Sequence, residues 1–140
     1  MARIYLDSNV FIAFVKQEIG KPLRLMFQDV DDFFRACPKR HVIVLSGLGL
    51  KEIEKVVHYS KSDLLGFFGE RKIRTELIEP KKEDVEQSQR LMAKGIHYPD
   101  SLHAALALNS KCEILLTFNK KDFVAIGSQI EVKEPAELLE

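Results

Sequence analysis

Cysteine is scarce in this 140-residue chain: Cys37 and Cys112 stand far apart and form no Cys-x-x-Cys pair. A zinc site is therefore not expected, and both read as buried free thiols. Apolar runs are short, far below the ~20 residues that cross a bilayer, so the expectation is a soluble, cytoplasmic chain with no membrane contact. Neither sign of charge is in surplus, with 21 lysines plus arginines against 21 aspartates plus glutamates. That excludes both a passive nucleic-acid coat and an acidic tail, and any nucleic-acid contact has to come from a local patch. Repeats, low-complexity tracts and Gly/Ser linkers are absent too, which leaves residues 1–140 as a single domain.

What is present suits one ordinary core: 46% of residues are hydrophobic and 30% charged. Strand-like runs alternate with helix-like ones, the pattern of parallel strands joined by helical crossovers. The expected class is α/β, a three-layer sandwich around a mostly parallel sheet of about five strands. The strands are read at 4–6, 41–45, 76–78, 113–117 and 129–132, the second a continuous β-branched run typical of burial on both faces. Apolar spacing predicts a helix over 23–36 ended by Cys37-Pro38, another around Leu48, Ile53, Val56 and Val57, and a short one capped by Ser62-Asp63 and running to Phe68. Two more follow: one carrying Val85, Leu91 and Met92 and closed by Gly95, and one opened by Pro99-Asp100-Ser101 and ending near Asn109.

Chemistry-bearing residues gather where strands hand over to helices. Asp7, in Leu6-Asp7-Ser8-Asn9-Val10, stands at the carboxyl edge of the first strand, where open α/β sheets place ligand sites. It is equally able to cap the helix that follows. Glu52 comes from the helix after the second strand; Glu54, two positions on, faces roughly the other way at ~100° per residue, so only one of the two can serve the site. Glu52 is the choice. Asp100 opens an otherwise apolar helix, where the helix dipole favours a carboxylate with or without chemistry. The fourth strand ends in Leu116-Thr117-Phe118-Asn119-Lys120-Lys121-Asp122-Phe123, again at the carboxyl edge. If strands one and four lie side by side, these acids converge. Carboxylates packed together hold either protons or a cation, and oxygen donors without cysteine favour Mg²⁺ or Mn²⁺. A carboxylate-held dication suits phosphodiester hydrolysis.

Leu6-Asp7-Ser8-Asn9-Val10-Phe11-Ile12, Glu52-Ile53, Asp100-Ser101-Leu102-His103-Ala104-Ala105-Leu106-Ala107 and the segment Thr117–Phe123 together resemble the PIN-domain family, over nearly the whole chain. The resemblance implies a metal-dependent endoribonuclease acting on single-stranded RNA, the toxin of a toxin–antitoxin pair, working as a homodimer beside a protein antitoxin. It also implies an acidic quartet, in which Asp7, Glu52 and Asp100 match the first three positions. Many members carry an aspartate soon after the threonine where this chain has Asn119, and the nearest acid is Asp122. By this likeness Asp7, Glu52, Asp100 and Asp122 are the catalytic residues, Asp7, Asp100 and Asn119 the metal ligands, and Ser8 and Thr117 substrate-positioning hydroxyls, with helix capping as the other reading of Ser8.

The Asn119 departure keeps a second function open, a weakened module that grips RNA or a protein without turnover. Aspartyl-phosphate chemistry fits less well, because Asn9 stands where such enzymes place a general-acid aspartate. His103 reads as a packed or hydrogen-bonded histidine, and His97 and Tyr98 as loop anchors or a stacking surface for a base. Arg71, Lys72 and Arg74 with Lys81 and Lys82 form the densest basic patch, an RNA contact only if it adjoins the acidic edge. The neighbouring pairs Phe33-Phe34 and Phe67-Phe68 are not expected to face inward together and point to a partner surface.

Overall fold

Period-two alternation along each strand sends successive side chains to opposite faces of a sheet, and apolar residues at every position require cover on both. The computed structural model describes residues 1–18 and 25–139 and shows this arrangement. Strands β1 (Ala2–Leu6), β2 (His41–Ser46), β3 (Arg74–Ile78), β4 (Ile114–Leu116) and β5 (Glu131–Lys133) form one sheet in the order β3-β2-β1-β4-β5. All neighbours are parallel. The helices are α1 (Ser8–Val15), α2 (Met26–Ala36), α3 (Gly47–Val57), α4 (Lys61–Glu70), α5 (Lys82–Ala93) and α6 (Asp100–Asn109). Two stretches of tighter 3-10 turns, Lys120–Gln129 and Pro135–Leu138, flank β5.

Ile4, Leu6, Ile43, Leu45 and Leu116 face one core, shared with Phe11 of α1, Val30 and Phe34 of α2, Ile53 of α3 and Leu64 and Phe68 of α4. Tyr5, Val44 and Leu115, one residue out of phase, face the other core, with Leu91 of α5 and Leu102, Ala105 and Leu106 of α6. The result is three layers, helices on both sides of a parallel sheet.

From β1 the chain steps outward to β2 and β3, then returns across β1 to build β4 and β5. The winding therefore reverses between β1 and β4, the position at which open α/β sheets splay to leave a crevice at their carboxyl ends. Leu6 pairs with Leu116 in register, and Asp7 N donates to Leu116 O at 3.0 Å, so Asp7 and Thr117 leave the sheet side by side.

Several expectations change in detail. The helix read over 23–36 starts at Met26; Leu23 falls outside the described residues. The short fourth helix is capped two residues earlier than expected, by a reciprocal box between Ser60 and Asp63. The aromatic pairs do not form a partner surface: Phe33, Phe34 and Phe68 are buried and Phe67 is partly so. Their helices are covered on more than one flank, so adjacent residues both find cover. Phe34 meets Phe11, Phe14, Phe67 and Phe68, while Phe33 stacks on His41. The basic patch is divided, because Arg71, Lys72 and Arg74 lie at the start of β3 and Lys81 and Lys82 beyond its carboxyl end. Both cysteines are free and buried, as expected, and burial pushes the Cys37 thiol up to about 12. Among the described residues no helix is long and apolar enough to cross a membrane.

Candidate active site at the carboxyl edge of the sheet

Asp7 occupies the N-cap of α1 yet makes no capping hydrogen bond from its side chain. Its Oδ2 accepts instead from Thr117 Oγ1, at 2.8 Å across the β1–β4 boundary. Thr117 Oγ1 in turn accepts from Asn9 Nδ2 at 3.1 Å and from Asn119 N at 3.0 Å. Helix initiation alone does not require this tie to β4, since a cap is served by backbone N–H groups of its own helix.

Ser46 caps α3 through Gly49 N at 3.0 Å, and this fixes the rotation of the helix. Ile53 turns into the core, Glu54 is exposed, and Glu52 is left half-buried at the sheet edge. Glu52 Oε1 receives two contacts, Ser8 Oγ at 2.7 Å and His103 Nε2 at 2.8 Å. His103, one turn into α6 from Asp100, is buried, and its Nδ1 lies 2.6 Å from the hydroxyl of Tyr5. The hydroxyl hydrogens of Ser8 and Thr117, two residues expected to position substrate, are donated to Glu52 and Asp7.

Among the described residues Asp7, Glu52 and His103 each offer a ligand atom within 4.8 Å of the other two. Both His103 nitrogens already face partners, which leaves oxygen as the available donor. Asp100, first residue of α6, stands outside this trio but within its field. Burial pushes its carboxyl up, and the charges of Asp7, Asp122 and Glu52 push it further, against the opposing influence of His103. Asp7 is likewise raised, chiefly by burial and also by Glu52, with His103 and the Thr117 hydrogen bond opposing. Glu52 goes the other way: burial would raise it, but hydrogen bonds from His103 and Ser8 hold it below the usual range. For His103 burial would lower the pKa, yet its bond to Glu52 and the charges of Asp7, Glu52 and Asp100 outweigh this and raise it.

The sheet edge therefore brings together Asp7, Glu52, Asp100 and the field of Asp122. Asp122 itself is exposed in the first turn of 120–129. Asn119 is exposed at the head of that segment and is tied to Thr117 through its backbone. Burial and neighbouring carboxylates raise two of these acids, Asp7 through Glu52 and Asp100 through Asp7, Asp122 and Glu52, and His103 opposes the rise in both. An oxygen-rich set of that kind fits a hard dication such as Mg²⁺ or Mn²⁺.

A PIN-domain family model matches residues 4–128 of this sequence, taking in Asp7, Glu52, Asp100 and Asp122. The chain belongs to the PIN-domain family. Solved structures share the fold of this PIN domain across nearly their whole length. The crystal structure of VapBC2 from Rickettsia felis, bound to a DNA fragment from its promoter, is similar at 20% identity and a TM-score of 0.64, over 94% of this chain and 98% of that one. A toxin–antitoxin complex from Klebsiella pneumoniae gives 20% and 0.63, over 94% and 97%. VapBC-1 from nontypeable Haemophilus influenzae gives 16% and 0.64, over 95% and 98%. No curated protein matches the chain by sequence.

Tyr5 and Ser46 of this PIN domain were not singled out from the sequence as site residues. Tyr5 reads there as one more strand position, and Ser46 lies just past the strand read at 41–45. Only the pairing of β1 with β2, and the approach of α6, sets their hydroxyls 2.7 Å apart beside His103.

Proposed function

We propose that this PIN domain is a Mg²⁺- or Mn²⁺-dependent endoribonuclease that hydrolyses single-stranded RNA, and that it is the toxin of a toxin–antitoxin pair. One observation carries the reading: Asp7 and Glu52, 45 positions apart in sequence, bring carboxylate oxygens within 4.8 Å at one sheet edge, where Asp100 lies in the field of both. Membership of the PIN family and the likeness of the fold to toxin–antitoxin structures support it.

Asp7 and Asp100 would hold the dication, with Asn119 and Asp122 completing the set. Bound there, the ion would neutralise the scissile phosphate and acidify a water. The chain's own residues do the rest. Thr117 holds the Asp7 carboxylate in place by donating to Oδ2. Ser8 and His103 clamp Oε1 of Glu52, leaving its second oxygen to orient the attacking water and take its proton. Water adds at phosphorus, the phosphodiester P–O bond breaks, and the leaving oxygen takes up a proton from solvent.

The test is cleavage of a single-stranded RNA with Mg²⁺ or Mn²⁺ present. Wild type is expected to cleave, and both EDTA and Asp7→Asn to abolish cleavage. Equal cleavage by wild type and Asp7→Asn overturns the reading. RNA held without metal or turnover by either protein points to the binding module instead. An antitoxin partner and a homodimer belong to the same proposal, and co-purification with the product of the neighbouring reading frame and sedimentation of the isolated chain test them.

A further inference from the structure

We propose that Tyr5 is a positioning residue of this site: anchored by Ser46, its hydroxyl selects the His103 tautomer that presents an N–H to Glu52 and so holds that carboxylate in its working orientation. The Ser46 hydroxyl oxygen already accepts from Gly49 N, so its hydrogen needs an acceptor, and its side-chain neighbour is the Tyr5 oxygen at 2.7 Å. Tyr5, having accepted, donates its own hydrogen to His103 Nδ1 at 2.6 Å. The imidazole proton then resides on Nε2, which faces Glu52 Oε1 at 2.8 Å. Each hydrogen in the chain from Gly49 N–H to Glu52 finds one acceptor.

The reverse direction fails twice. A proton on Nδ1 alone would set the bare Nε2 lone pair against a carboxylate oxygen and leave the hydrogen of Ser46, a buried residue, without an acceptor. Protonating both nitrogens keeps the Glu52 contact but still turns Tyr5 round and strands that same hydrogen. The chain is complete only for the neutral ring with hydrogen on Nε2. Its far end matters because Ser8 Oγ holds the same Oε1, so two donors converge on one oxygen and the other is free for the reaction. Outer contacts of this sort fix the orientation of a site's ligands, and their loss typically costs about 10- to 100-fold in activity.

The kinetic arm rests on the nuclease reading; the spectroscopic arm does not. In metal-free protein, ¹⁵N shifts of the His103 ring, recorded at a pH where it is neutral, are expected to show hydrogen on Nε2 and a bare Nδ1. Tyr5→Phe, which removes the hydroxyl alone, is expected to shift this toward a tautomer mixture and to lower kcat on RNA about 10- to 100-fold with KM little changed. His103→Gln, whose amide can still donate toward Glu52, is expected to retain more activity than His103→Leu. A wild-type ring with hydrogen on Nδ1, or a tautomer unmoved by Tyr5→Phe, overturns the proposal. Wild type that cleaves no RNA overturns the nuclease reading alone, and the ring shifts then decide the Tyr5 assignment without it.

Discussion

Asp7 illustrates how a single residue can be kept against the interest of the fold. Burial and the charge of Glu52 raise its carboxyl above the ordinary 3.8, and His103 and Thr117 offset this only in part. A group whose folded pKa exceeds its unfolded one binds protons more tightly in the native state, so stability falls as pH rises through the window between the two values and stays reduced above it. Neutral, nearly isosteric Asn removes that charge while keeping an acceptor for Thr117. In EDTA, Asp7→Asn is therefore expected to melt at a higher temperature than wild type at pH 7. The gap should narrow as pH falls through the raised pKa toward 3.8. Thermal melts of the two proteins across that range measure it, and a variant that melts below wild type at neutral pH would show that Asp7 is a structural acid.

Elements differ in how much of their placement can be read from composition. β2 and the helix that opens at Asp100 were legible because each is apolar along a whole run, which only double-sided burial explains. The sequence shows β3 only over 76–78 because Arg74 is exposed and charged and Thr75 half-buried, so neither carries an apolar signal; Glu76 pairs with Arg3 of β1 across β2. The 3-10 stretch 120–129 was not foreseen, since tight turns broken at Gly127, where φ is +68°, show no 3.6-residue period. The acids were legible as separate residues at strand ends, whereas the hydroxyl chain behind Glu52 exists only once three elements meet. The burial of the aromatic pairs is hidden from the sequence for the same reason, as cover on two flanks of a helix is a tertiary property. Phe34 now stands at the meeting point of α1, α2 and α4, with rings of Phe11, Phe14, Phe67 and Phe68 around it. Phe34→Ala is expected to cost about 3–5 kcal/mol in urea unfolding while leaving the His103 ring shifts unchanged. A loss under about 1 kcal/mol would mean that this face is looser than its packing indicates.

Across the whole molecule, the four acids come from segments that only the complete sheet brings together: Asp7 follows β1, Glu52 lies in α3, Asp100 opens α6 and Asp122 lies in the 3-10 stretch after β4. A dication bridging Asp7 and Asp100 would bind the native state and not the unfolded chain, and so would stabilise folding by RT ln(1 + [L]/Kd), about 2.7 kcal/mol at a hundredfold excess over Kd. The same ion offsets the burial and carboxylate repulsion that raise both groups, so its effect should be largest where both are charged and vanish at acid pH. Mn²⁺ or Mg²⁺ added to wild type at pH 7 is expected to raise the melting temperature in a saturable way, and Asp100→Asn to lose most of that rise. Because α5 and α6 pack on the face of the sheet opposite α1, α2 and α4, amide exchange gives a second view of the same event. Metal should slow exchange at the starts of both α1 and α6, two segments on opposite layers that share no hydrogen bond between their backbones. Slowing confined to one layer, or a rise in melting temperature that survives in Asp100→Asn, would place the ion elsewhere and separate the two acids in function.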